Sequence, residues 1–63
     1  MAATFEQWAG SVKRQMTELG MSALEAIEAV EDNEQWFRDQ YDLAAGTGIT
    51  ADEWYTLHHN QDS

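Results

Sequence analysis

Three times in 63 residues a hydroxyl side chain is followed, three positions on, by a glutamate or glutamine: Thr4 with Gln7, Ser22 with Glu25, and Thr50 with Glu53. At this spacing the hydroxyl oxygen accepts from a backbone amide that the first helical turn leaves without a partner. The acid or amide side chain reaches back to the amide of the capping residue. Each pair marks a helix start, and each stands at the head of a segment whose apolar residues recur at helical spacing.

The first segment places Phe5, Trp8, Val12, Met16 and Leu19 on one face and predicts a helix over 5–19. Gly20 follows the last periodic residue, where a glycine takes the left-handed conformation that ends a helix and Met21 folds back onto the last turn. The second segment predicts a helix over 23–32, with Leu24, Ile27 and Val30 beside Ala23 and Ala26 on one side and Glu25, Glu28, Glu31 and Asp32 on the other. Asp32 and Asn33 are good caps and poor interior residues. A break there keeps Trp36, Phe37, Tyr41 and Ala44 on the face of a third helix over 34–45, ended by Gly46 and Gly48; an unbroken helix would put Glu34 in the middle of that face. A fourth helix over 51–58, with Ile49 and Trp54 paired as a hydrophobic staple, lays Trp54 and Leu57 on the bundle, and 60–63 is expected to fray. With no strand-like alternation, repeat or linker, the reading is all-α: a small single-domain bundle of three to four short helices.

A bundle this small buries about 60% of its unfolded surface, so each large apolar side chain counts. Nine alanines inflate the 43% hydrophobic content, but seven aromatics, among them Trp8, Trp36 and Trp54, set the chain apart from acidic disordered tails. Trp8 and Trp54 lie on the apolar faces of their helices and read as core. Trp36 is in register only if the chain breaks at Asn33, and it is the aromatic expected to stay partly exposed and to anchor a partner.

Composition excludes several chemistries. Without cysteine there is no disulfide framework and no thiolate ligand or nucleophile. The opening residues carry Glu6 and no base, and no apolar run exceeds three residues, so neither a secretory signal nor a membrane span is expected; a cytoplasmic protein is the expectation. Lys13, Arg14 and Arg38 face twelve carboxylates, which argues against direct binding of nucleic acid or of an anionic membrane. His58 and His59 are adjacent on a helix and point about 100° apart, so they do not converge on one metal or substrate. Gly46-Thr47-Gly48 is too short for a phosphate loop and lacks its lysine. Neither an alternating calcium loop nor a Glu-x-x-His pair is present, and Glu31, Asp32 and Glu34 around Asn33 read as a solvated capping cluster. No enzyme activity, cofactor or metal is expected.

What remains is the charge. Between Glu18 and Asp42 there are eight acids and one base, Arg38. Glu25, Glu28 and Asp32 are neighbours at three- and four-residue spacing, where like charges cost a few tenths of a kcal/mol each. The surface formed by Glu25, Glu28, Glu31 and Asp32, continued by Trp36, Asp39 and Asp42, is the expected partner-binding site. Its partner is expected to be a protein with a basic surface, such as one that handles nucleic acid. Carboxylates one helical turn apart stand about 5 to 6 Å from each other, a spacing comparable with phosphates along a strand. In type, a short, cysteine-free, strongly acidic helical chain resembles the small inhibitors and nucleic-acid mimics of phages and mobile elements. The alternative is a structural subunit that forms a homo-oligomer, or docks on another chain, through exposed aromatics such as Trp36.

The stretch from Val12 to Leu43, with its Leu19-Gly20-Met21-Ser22 corner followed by Ala26, Ala29 and Val30, also resembles ubiquitin-associated three-helix domains. There a Met-Gly-aromatic loop and the end of the third helix bind ubiquitin. Here Gly20 precedes Met21, the aromatic is absent and a further helix follows, so no ubiquitin site is assigned.

Overall fold

The computed structural model describes residues 3–59, His59 in its backbone only. Among these residues there are four helices and no strand: α1 (Phe5–Glu18), α2 (Ala23–Asp32), α3 (Glu34–Asp42) and α4 (Thr47–His59). The small all-α bundle expected from the sequence is what the chain forms. The expected frayed segment 60–63 lies outside the described residues.

Two starts are set by the expected local chemistry. Thr4 Oγ1 accepts from the Gln7 amide at 3.2 Å while the Thr4 amide donates to Gln7 Oε1, and Ser22 and Glu25 repeat the reciprocal pair at 3.1 and 2.9 Å. The end of α1 is equally local. Leu19 caps it, Gly20 takes φ +118°, the Gly20 amide donates to Thr17 O and the Met21 amide to Met16 O, both at 3.1 Å. These two bonds satisfy carbonyls that the last turn would leave open and turn buried Met21 back onto the core.

The helix does break at Asn33, whose φ of −129° and ψ of 35° lie outside the helical region. Its side-chain amide donates to Ala29 O at 3.0 Å, and its carbonyl accepts from the Phe37 amide at 3.2 Å, so one residue closes α2 and opens α3. Helix α3 stops at Asp42, earlier than the expected residue 45. Ala44, a non-glycine, takes φ +59°, its amide donating to Tyr41 O and that of Ala45 to Gln40 O. The same terminating geometry as at Gly20 is thus made without a glycine, and Ala44 is exposed instead of lying on the core face.

The fourth helix departs most from expectation. It begins at Thr47, four residues before residue 51, so Gly46 and Gly48 do not terminate α3; Gly48 lies inside the first turn of α4. Thr50 is not a cap. It is buried, and its amide and hydroxyl both donate to Gly46 O, at 2.9 and 2.8 Å. The Ile49–Trp54 staple is absent, Ile49 being 73% exposed. Leu57 is also exposed, and the inward face of α4 is formed by Thr50, Ala51 and Trp54.

Helix α1 is the spine and touches each of the other three. Arg38 lies over the Phe5 ring, Tyr41 packs on Phe5 and Trp8, and Val30 shares a cleft with Ala9 and Lys13, so the α2–α3 leg descends antiparallel to α1. Trp8 Nε1 donates to Ala45 O, the Gln15 side chain reaches Gly48, and Tyr55 Oη approaches Gly20; the pairs ascend together, so α4 runs alongside α1 in the same direction. The buried core consists of Trp8, Ala9, Val12, Met16, Met21, Ala26, Val30, Phe37, Ala51 and Trp54. Trp8 and Trp54 are core residues, as their registers predict. On α2, however, Ala26 and Val30 face inward while Leu24, Ile27 and Ala23 are exposed. The small alanine at 26 takes the face against α1 that the larger side chains were expected to fill. Leu19 is likewise at the surface, at the corner.

Candidate functional site

The carboxylates of α2 are displayed as the sequence suggests, but they are not all free. Glu25 belongs to the Ser22 cap, accepting from its amide at 2.9 Å. Glu28, Glu31 and Asp32 are exposed and, among the described residues, have neither a hydrogen bond nor an ion pair. They occupy the C-terminal half of α2, whose last turn holds no base. The helix dipole disfavours negative charge at that end, and Glu28 stands three residues from Glu31 and four from Asp32.

Helix α3 carries the remaining expected residues on several sides. Arg38 is committed to Glu34, Nε to Oε2 at 2.7 Å, with both side chains about half exposed, and it caps the Phe5 ring at 4.3 Å from the centroid. Asp39 accepts from Gln35 Nε2 at 3.0 Å. Asp42 stands at a hollow bordered by Trp8, Tyr41 and Ala45. Glu31 and Glu34 share a cleft of about 380 Å³ with Phe5, Lys13 and Arg38, so the carboxylates at this edge face two of the three bases. Glu28 and Asp32 lie away from that edge.

Trp36 keeps part of its surface exposed, as expected, three residues from Asp39. It is partly buried, edge-on to Phe37 at 4.8 Å and tilted against Trp54 at 5.6 Å, so its ring is committed to the contact between α3 and α4. The exposed large apolar residues are instead aliphatic: Leu19, Leu24, Ile27, Leu43, Ile49 and Leu57. Sequence periodicity counted Leu24, Ile27 and Leu57 as core and so missed them as surface. The available signal was alanine at 26 and 29, which lets two helix backbones approach closely at the cost of turning larger neighbours outward.

Among the described side chains, His58 gathers with no cluster of metal-ligating groups. His58 is exposed and stacks on Trp54, centroids 3.7 Å apart at 27°. The His59 side chain lies outside the described residues. No group of three or more metal-ligating side chains gathers among the described residues, and each buried side-chain polar atom there has a partner. Among the described residues no helix is long and apolar enough to cross a membrane.

What the arrangement offers chemically is therefore a carboxylate surface on α2 that makes no ion pair among the described residues, with Lys13 and Arg38 near its Glu31 edge and no base near Glu28 and Asp32, carried on a bundle pinned by aromatic contacts. Comparison of the chain with protein-family models, with curated proteins and with solved structures found no match.

Proposed function

We propose that this protein is an acidic interaction module that inhibits or regulates a basic protein, one built to handle nucleic acid, by presenting the carboxylates of α2 where phosphates would otherwise bind. The observation that carries this reading is the placement of Glu28, Glu31 and Asp32, exposed and unpartnered among the described residues at the helix end where the dipole disfavours them. A surface kept only for solubility needs charge, but it does not need charge concentrated at an unfavourable place. Asp39 and Asp42 on α3 extend the negative field beyond the break. The protein acts as a binder and not as an enzyme, and it works without cofactor or metal in the cytoplasm.

The test is a pull-down from native lysate with the tagged chain at about 50 and 300 mM salt, a range over which screening removes surface electrostatics. The triple variant Glu28→Gln, Glu31→Gln, Asp32→Asn is run beside it. A basic nucleic-acid-handling protein captured at low salt, lost at high salt and lost with the triple variant supports the reading. Capture that survives both changes overturns it.

The second reading, a subunit that self-associates, is favoured by the six exposed aliphatic side chains. Trp36, committed to Phe37 and Trp54, is a poorer anchor for it than Leu24 or Leu43. Sedimentation at high salt decides between them, because an apolar dimer persists where a charge-driven complex dissociates.

A further inference from the structure

Seen down its axis, α2 turns Ala26 and Val30 to the core; Glu28 stands opposite them, with Leu24 and Glu31 beside it and Ile27 on the flank. Leu24 is 64% exposed and Ile27 39%. The four stand at three- and four-residue spacings: Leu24 with Ile27 and Glu28, and Glu31 with Ile27 and Glu28. Such neighbours form one contiguous strip about two turns long. A lone leucine at the surface of a protein is ordinary. Two large aliphatics adjoining on the exposed side of a helix whose core side is Ala26 and Val30 are a surface patch with a chemical character, and carboxylates border that patch.

We infer that this strip docks a basic amphipathic helix of a partner protein, whose apolar stripe covers Leu24 and Ile27 and whose lysines or arginines meet Glu28 and Glu31. The occupant follows from complementarity. Apolar area is covered only by apolar area, and two unpartnered carboxylates beside it select cations on the flanks of the incoming stripe. A second copy of this chain is a poor occupant, because pairing α2 with α2 sets these acids against each other in a molecule of net charge −9. The inference rests on the acidic-module reading and deepens it. Charge brings the partner to α2, and the two aliphatics decide which basic partner stays.

Three labelled peptides of about 18 residues, long enough to hold a helix on binding, separate the possibilities. One carries leucines on a single helical face and lysines elsewhere; one is the same composition scrambled so that the leucines spread around the helix; one replaces every lysine of the first by glutamate. The expected result at about 50 mM salt is that the amphipathic basic peptide binds about tenfold tighter than the scrambled one and the acidic peptide does not bind. Amide shifts in the labelled protein should centre on Leu24, Ile27, Glu28 and Glu31. Leu24→Ala with Ile27→Ala should weaken binding about tenfold, as loss of a two-residue apolar anchor does, while Ile49→Ala changes nothing. Both aliphatics are exposed, so these variants keep the fold, and circular dichroism verifies it. Equal binding of both basic peptides, indifferent to the Leu24 and Ile27 substitutions, overturns the docking strip and leaves the acidic-module reading standing. Absence of binding by either basic peptide overturns both. A dimer that dissociates on Leu24→Ala assigns the strip to a second copy and overturns the inference.

Discussion

Ala44 holds φ +59°, a conformation that costs a residue with a Cβ about 1 kcal/mol. Ala44→Gly should therefore raise stability by about that amount, read as a higher urea midpoint at unchanged slope. The opposite holds at Gly20, where φ is +118° and Tyr55 Oη lies 3.7 Å from where a Cβ would stand. Gly20→Ala should lower stability by 1 kcal/mol or more, roughly the cost of forcing an L side chain into that region. Phe37 is fully buried among Trp36 and Trp54, and its loss to alanine costs about 3–5 kcal/mol, comparable with the whole stability of so short a chain. The Gly20 turn was legible in the sequence because its chemistry is confined to adjacent residues. The Ala44 turn was not, because alanine carries no local sign of it; a distant contact, Trp8 Nε1 to Ala45 O, belongs to the same turn. Thr50 shows the same limit. Its spacing to Glu53 reads as a cap, but a buried hydroxyl that donates back to Gly46 O is also satisfied inside a helix, and only packing chooses between the two.

Helix α2 shows how far local reasoning reaches at the scale of an element. Its bounds and cap followed from Ser22 and Glu25, and Ser22→Ala should lower stability by about 1 kcal/mol, measured by thermal unfolding. Its acids were assigned to the solvent side, which is where they stand. Its apolar face was misread, because periodicity weighs Leu24 and Ile27 above Ala26 while close helix packing favours the smaller residue. The break at Asn33 was legible from cap preference, but the use of Trp36 against Trp54 was not, since it depends on where α4 returns. The acidic half of α2 carries an internal repulsion that its sequence makes plain. Neutralising Glu28, Glu31 and Asp32 should raise stability by about 0.5–1 kcal/mol, from like-charge pairs and the dipole together.

For the whole molecule the governing quantity is a net charge of −9 on 63 residues. Self-repulsion of that size works against compactness, and added salt screens it, shortening the Debye length from about 30 Å at 10 mM to about 8 Å at 150 mM. The free protein should therefore melt at higher temperature as salt rises over that range, while its complex with a basic partner weakens. A chain selected for stability alone would place its acids at helix starts and its bases at helix ends. This one carries no base in the last turn of α1, α2 or α3. Stability and partner binding are best followed together in the triple variant Glu28→Gln, Glu31→Gln, Asp32→Asn. The two should change with opposite signs: a melting temperature raised by a few degrees, as about 0.5–1 kcal/mol gives in a domain this small, and binding of the basic partner lost. A variant that is more stable and still binds as the parent does would contradict this, and would leave the acids of α2 as a coat for solubility.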